Sequence, residues 1–345
     1  MGDVLHAMPA VAALRQLHPD WHIGWAVEPR WMPLLRAESK GDAVEPGSAA
    51  MPLVDRLHAV STRAWKRRPF SRETLLDINA LRRELRAAQY DLCVDMQGTI
   101  RSSVIGRMAG AKQFAGPADP RERPAGWMYG KQIQLLAAHV VEQGCELLGT
   151  ATGQTLTPAD ALLPLDESAE RWRDDLFSRI QLAGPFVVIA PTAGWGAKQW
   201  PAERYGAVAA ELARAGYTTL VNASSPDNAL ANAVVQASEG SAIVAPCTVA
   251  RLIALLRRAS LMIAGDTGPL HLAAALGRPV VGLYGPTDPA RNGPYGTRSR
   301  VLRHASSHKD HTRHSETEQG LMQITTDEVT EAALELLRAE RDKVV

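Results

Sequence analysis

Apolar and polar positions along this chain follow two periods in alternation. Short apolar runs bounded by turn residues read as buried strands: His22 to Val27, Asp91-Leu92-Cys93-Val94-Asp95, and residues 185–190, 217–222, 242–245, 261–265 and 279–284. Between them, apolar residues recurring every three or four positions predict helices over 8–18, 73–88, 131–149, 201–215, 227–238, 248–258 and 269–276, with another following Gln97-Gly98 and running through Met108. A final amphipathic helix, 326–341, opens on the capping signal Thr326-Asp327-Glu328. The stretch Thr150 to Pro164, rich in Thr, Ala, Pro and Gly, carries no period and reads as a linker.

Strands alternating with helices on both sides of that linker predict an α/β protein of two Rossmann-like, doubly wound domains facing a cleft. The divisions are 1–160, 165–325, and a C-terminal helix over 326–345 packing back toward the first domain. Gly2-Asp3-Val4-Leu5 reads as the end of a strand-to-helix turn with no strand ahead of it. The N-terminal domain is therefore expected to lack its first strand, which would leave neighbouring strand edges uncovered.

Composition narrows the class. At 345 residues the chain is comfortable for two domains, and its 46% hydrophobic and 22% charged shares are those of a water-soluble protein. A net charge of +1 gives no global field for nucleic acid, so any basic binding surface must be local. Cys93, Cys145 and Cys247 are odd in number and lack metal-ligand spacing, which fits a reducing compartment. No apolar run is long enough to span a membrane, and the first residues lack a signal-peptide pattern, so a cytoplasmic location is expected.

Five segments carry candidate chemistry. Asp266-Thr267-Gly268-Pro269-Leu270-His271 stands between an apolar run and a small-residue helix. Its free N–H groups and partial positive charge suit a phosphate, with His271 one turn in; an ordinary capped helix is the plainer alternative. In Gly2-Asp3-Val4-Leu5-His6, Asp3 is either a helix-start carboxylate or a general base. The small-residue loop from Pro191 to Pro201 offers Thr192 and a single lysine, Lys198, which can neutralise charge on a diphosphate or simply be solvated. Thr287, in Gly285-Pro286-Thr287-Asp288-Pro289, follows the next strand and can bond the same ligand.

The fifth segment is basic: Arg63, Lys66, Arg67 and Arg68 around Trp65, with Arg101, Arg121, Arg123 and Lys131 further on. It reads as a solvated face or as forks for an anionic acceptor. His304, His308, His311 and His314 fall in a polar stretch that reads more readily as a solvated loop than as a metal site, since no cysteine joins them. There is no Walker loop, GxSxG elbow, HExxH, or GxGxxG followed by an acidic strand end, which removes the commonest nucleotide-hydrolase, esterase, zinc-protease and dehydrogenase readings.

Taken in order, Gly2-Asp3-Val4-Leu5-His6, Asp95-Met96-Gln97-Gly98, Lys198-Gln199-Trp200-Pro201, Asp266 to His271 and Tyr284 to Pro289 resemble the heptosyltransferases of glycosyltransferase family 9, and favour its type I branch over type II. The resemblance implies a GT-B architecture and inverting, metal-independent transfer of heptose from ADP-L-glycero-D-manno-heptose to Kdo of the lipopolysaccharide inner core. It implies Asp3 as base and Lys198 as the donor-phosphate lysine, with Thr192, Asp227, Asp266, Thr267, Gly268, His271 and Thr287 on the donor side. Arg63, Lys66, Arg67, Arg68, Gln97, Arg101, Arg121 and Arg123 would meet the Kdo-lipid A acceptor. No cofactor, metal or nucleic acid is implied, and the enzyme would be a monomer, peripheral on the inner face of the inner membrane. Three departures accompany the resemblance: the absent first strand, Ser225-Pro226-Asp227-Asn228 where the family has an acidic donor contact, and Thr192-Ala193-Gly194 where it has paired threonines. A transferase using another nucleotide sugar and a non-catalytic nucleotide-sugar-binding protein are the alternative readings.

Overall fold

The computed structural model describes residues 1–40, 44–192, 196–308 and 317–341. The chain forms two compact units that part between Pro164 and Leu165.

The N-terminal unit opens on a helix, Gly2–Leu17, that starts at Gly2 and not at residue 8. It buries Leu5, Ala7, Met8, Ala10, Val11, Ala12 and Leu14, positions on several of its faces, so no single apolar stripe marks its first turns. Strands β1 (Gly24–Val27) and β2 (Arg56–Ala59) pair in parallel as one small sheet. Strands β3 (Leu92–Val94), β4 (Gln113–Pro117) and β5 (Lys131–Ile133) form a second parallel sheet in that order.

The helix expected over 131–149 divides instead into β5 and a helix at Val140–Thr152. The cause is polar capping. His139 Nδ1 accepts from Val141 N–H, and the Glu146 carboxylate accepts from the amides of Leu136 and Ala137, holding the approach extended. The basic run forms a short helix, Thr62–Arg67, ahead of a longer one, Arg72–Ala87, that Ser71 caps through the Thr74 amide.

The C-terminal unit is built on β6 (Phe186–Ala190), β7 (Thr218–Ala223), β8 (Ala242–Pro246), β9 (Leu261–Gly265), β10 (Val280–Tyr284) and β11 (Ser299–Arg303). They form one six-stranded sheet ordered β11-β10-β9-β6-β7-β8 with every pairing parallel. The chain lays down β6 first, builds outward through β7 and β8, then returns to place β9 on the other side of β6. This is the dinucleotide-fold order, and the switch point lies between β6 and β9. β6, β9 and β10 are buried throughout because helices cover both faces.

The terminal helix, Thr326–Arg341, packs into this unit's own core. Val329, Ala333 and Leu337 pack with Val281, Leu283, Trp200 and Val208 in one apolar cluster. Its apolar stripe finds a ready surface on the sheet its own chain has just completed. In the histidine-containing stretch, His304 Nδ1 bonds the Ser306 hydroxyl at 2.7 Å, while His311 and His314 lie outside the described residues.

Candidate active site

All six strands of the C-terminal sheet run the same way, so the turns after β6, β7, β9 and β10 share its carboxyl edge. At the switch point, β6 and β9 pair Ala190 with Ala264, which puts the segments following them side by side. After β6 come Pro191 and the half-buried Thr192; Ala193 to Trp195 lie outside the described residues, and Gly196–Lys198 then forms a single tight turn. That turn is anchored from behind. The Trp200 indole N–H donates to the Ile324 carbonyl at 3.2 Å, the Thr317 hydroxyl to Gln199 O at 2.8 Å, and Glu318 N–H to Ala197 O at 3.2 Å. Nothing in the sequence marked residues 317–324 as a support for the lysine loop.

β9 ends in Gly265, and a side chain there would press on the Lys198 carbonyl, 3.0 Å from the Cβ position. The glycine lets the lysine loop close onto the strand end. Asp266 follows, and its carboxylate takes the Lys198 ammonium at 2.5 Å on one oxygen and His271 Nε2 at 3.0 Å on the other. Donation to the carboxylate places the ring proton on Nε2. Burial by itself would raise the Asp266 carboxyl, but the His271 hydrogen bond and the Lys198 charge outweigh it and hold the group well below the usual carboxylate range.

Thr267 is the N-cap of the helix Gly268–Ala275 but makes no side-chain cap; its hydroxyl donates back to Gly265 O at 3.2 Å. The amides opening that helix therefore face the sheet edge with the helix's partial positive charge behind them. Thr287, after β10, is 4% exposed, and among the described residues its hydroxyl oxygen has no hydrogen-bond partner. A buried hydroxyl left unpaired at this edge is what a ligand oxygen would satisfy. Asp227 stands exposed after β7, next to Asn228, which caps the following helix through Ala231 N–H.

The N-terminal unit gathers a second set of groups. Asp3 lies in the first turn of helix Gly2–Leu17 and accepts a hydrogen bond from Gln97 Nε2 at 2.7 Å on Oδ2. Gln97 belongs to the turn after β3, where the buried Asp95 carboxylate accepts from the amides of Gln97 and Gly98 on Oδ1 and from the Ser102 and Tyr129 hydroxyls on Oδ2. Arg101 Nη1 donates to the Thr62 hydroxyl at 3.4 Å, and that hydroxyl bonds Glu28. Arg30, which sequence reading missed, joins this group. Burial, then the charges of Arg63 and Arg101, push its guanidinium down against the opposing pull of Glu28. Two basic residues separated by a helix give no period that would flag a third in a distant short helical turn, Pro29–Leu34.

The remaining basic candidates divide. Lys66, Arg67 and Arg68 are exposed, and Arg68 pairs with Glu73 at 3.8 Å. Arg121 and Arg123 flank Glu122, whose amide donates to Gly98 O at 2.9 Å, so their loop is tied to the Gln97 turn.

A nucleotide-fold sheet with an anion-binding helix start, a lysine and a buried carboxylate at its switch point defines a nucleotide-diphosphate-using α/β enzyme. The model of glycosyltransferase family 9 (heptosyltransferase) matches residues 78–322, and the chain belongs to that family. It is therefore a glycosyltransferase, with GT-B solved relatives. Lipopolysaccharide heptosyltransferase 1 of Pseudomonas aeruginosa is 28% identical over 310 residues, 87% of this chain and 80% of that protein. The protein of the same name from Escherichia coli K12 is 28% identical over 307 residues, 88% of this chain and 90% of its own length. The solved structure of E. coli heptosyltransferase WaaC with ADP superposes with a TM-score of 0.76 at 25% identity, covering 97% of both chains.

Proposed function

We propose that this protein transfers heptose from ADP-L-glycero-D-manno-heptose to Kdo of the lipopolysaccharide inner core, with inversion and without a metal, as a monomer of the type I branch. The observation that carries the reading is the Lys198–Asp266–His271 cluster at the opening of the helix Gly268–Ala275. Relatives named lipopolysaccharide heptosyltransferase 1 and the ADP complex of E. coli WaaC support the donor and acceptor classes.

In this mechanism Asp3 takes the proton of the acceptor hydroxyl as its oxygen bonds the anomeric carbon. The bond from that carbon to the diphosphate oxygen breaks on the opposite face, and its electron pair leaves with ADP. Lys198, oriented by Asp266, meets the developing charge together with the first amides of the Gly268–Ala275 helix, the work a divalent cation does in other transferases. Thr267, Gly268, His271, Thr192 and Thr287 hold the diphosphate and sugar hydroxyls, and Asp227 takes the place of the family's acidic donor contact. Arg63, Arg101, Arg121 and Arg123, with Arg30, meet the acidic acceptor.

A peripheral membrane position has its own support. Phe70 is 91% exposed, Leu75 and Leu76 are more than half exposed, and the exposed Lys66, Arg67, Arg68 and Arg72 lie close to them in sequence. No described helix is long and apolar enough to cross a membrane.

The test is a product assay offering ADP-heptose, UDP-sugars and GDP-sugars with Kdo-lipid A, with and without EDTA. Transfer from ADP-heptose alone, unchanged by EDTA, is expected, and Asp3→Ala should slow it by about 10²–10⁴-fold. A second reading comes from lipopolysaccharide heptosyltransferase 2 of Salmonella typhimurium, 30% identical over 162 residues, 45% of this chain. Preference for an acceptor already carrying one heptose would select it.

A further inference from the structure

We infer that Gln97, held by Asp95, is a positioning residue that aims the Asp3 carboxylate, and not a contact to the acceptor. The inference rests on the reading of Asp3 as the base.

The turn that carries Gln97 is fixed on every side. Asp95, 5% exposed, spends one carboxylate oxygen on the amides of Gln97 and Gly98, at 2.9 and 3.1 Å. Its other oxygen accepts the Ser102 hydroxyl at 2.9 Å and the Tyr129 hydroxyl at 2.7 Å. Burial and the bond to Asp95 push the Tyr129 phenol far up, so it stays a donor. Gly98 sits at φ +67°, and a side chain there would come within 3.1 Å of the Arg121 amide nitrogen and 3.3 Å of Pro117 and Pro120. The Gly98 carbonyl accepts from Glu122 N–H, and the Glu122 carboxylate in turn accepts from Ile100 N–H at 2.8 Å.

So rigid a turn at a strand end is a poor way to hold a merely solvated glutamine. It is a good way to aim one amide. Gln97 Nε2 reaches Asp3 Oδ2 at 2.7 Å, an amide–carboxylate bond that assigns the amide orientation. Asp3 itself is an exposed residue on the first turn of its helix, where a directed hydrogen bond narrows its rotamers. With Oδ2 occupied, the proton of an incoming hydroxyl goes to Oδ1, whose direction is then set by the Asp95 turn. Placement of a base to within an ångström is worth as much as 10²-fold in rate.

The experiment is a kinetic double-mutant cycle on the full chain with ADP-heptose and Kdo-lipid A. Gln97→Met should lower kcat about 10- to 100-fold with KM for both substrates nearly unchanged. In the Asp3→Ala background the same change should cost nothing further, because its target is gone. Asp95→Asn should lower kcat in the same direction and combine less than additively with Gln97→Met. If Asp95→Asn does not fold, the Gln97–Asp3 cycle decides alone. A raised acceptor KM at unchanged kcat, or an equal loss from Gln97→Met with and without Asp3, would overturn the inference and leave the base standing. Full activity of Asp3→Ala alone would overturn the base reading itself, and the positioning role with it.

Discussion

The two units secure their polar groups by opposite means. In the C-terminal unit a continuous six-stranded sheet, buried along β6, β9 and β10, delivers Lys198 from the loop after one strand, and Asp266 and His271 from the turn and helix after its neighbour. The N-terminal unit has two small sheets with strands of three to five residues, and Asp3 is held by a residue 94 positions away. One unit places charge by backbone architecture, the other by a chain of side-chain hydrogen bonds. A site of the first kind tolerates surface change and fails when a buried charge loses its partner. A site of the second kind fails when a turn slackens.

Breaking the C-terminal cluster should have a larger effect than slackening the N-terminal turn. Lys198→Met is expected to lower kcat by about 10²–10³-fold, the usual loss when a preorganised charge at the leaving group is removed. It also strips Asp266 of one of the two partners that hold its carboxyl down. Because the folded carboxyl lies below its ordinary 3.8, Asp266 adds stability that is fully present above about pH 4 and is lost as pH falls further. Acid unfolding of Lys198→Met should therefore begin at higher pH than in the parent, followed by circular dichroism from pH 6 to 2. An unchanged acid midpoint would mean that the lysine does not stabilise the carboxylate.

The N-terminal counterpart is Gly98→Ala. A left-handed alanine costs about 1–2 kcal/mol, and the added methyl meets the Arg121 amide and Pro120 Cα, backbone atoms that cannot swing aside. Relaxing the turn should lower kcat about tenfold through Gln97 with donor affinity untouched. Titration calorimetry with ADP beside the rate measurement separates the units: weakened ADP binding in Gly98→Ala would contradict their independence.

This contrast also explains what was legible in the sequence. Asp266-Thr267-Gly268-Pro269 and Lys198 could be read because a parallel strand, a small-residue turn and a helix start are all local patterns, and the fold brings successive turns to one edge. The parallel sheet, though not its strand order, followed from βα alternation for the same reason. The division of 131–149 could not be read, since Glu146 caps amides ten residues back and the apolar positions alone fit a helix. Nor could the clamp of Thr317 and Ile324 on the lysine loop, whose partners are more than a hundred residues distant. The terminal helix was visible as amphipathic, but its partner was not: an apolar stripe says that a face is buried without saying against what.

A smaller effect should come from the exposed apolar residues beside the basic helix. Phe70→Ser with Leu75→Ser and Leu76→Ser should reduce partition onto vesicles of anionic phospholipid by about tenfold, while transfer to a soluble Kdo acceptor is retained. Equal co-sedimentation of parent and variant would remove this surface from the membrane reading.

The smallest expected effect sharpens the comparison where the N-terminal unit most resembles the C-terminal one, at a buried histidine held by a carboxylate. His58 is 1% exposed on β2, with Glu84 2.6 Å from Nδ1 and the Tyr90 hydroxyl 2.7 Å from Nε2. Tyr90 lies where any side chain on residue 24 would stand, which accounts for Gly24 in β1. Burial pushes the imidazole below its ordinary 6.5, against the opposing hydrogen bond and charge of Glu84. The folded state thus prefers neutral His58, whereas the unfolded chain takes up a proton near pH 6.5. The resulting stability is present above that pH and is lost as pH falls through the folded value, with a slope of at most about 1.4 kcal/mol per pH unit for one proton. Urea unfolding at pH 7, 6 and 5 should show this decline in the parent and a shallower one in His58→Gln, which keeps a donor and an acceptor but cannot titrate. Identical pH slopes in the two proteins would show that Glu84 fully offsets the burial. The contrast between the units would then reduce to their backbones.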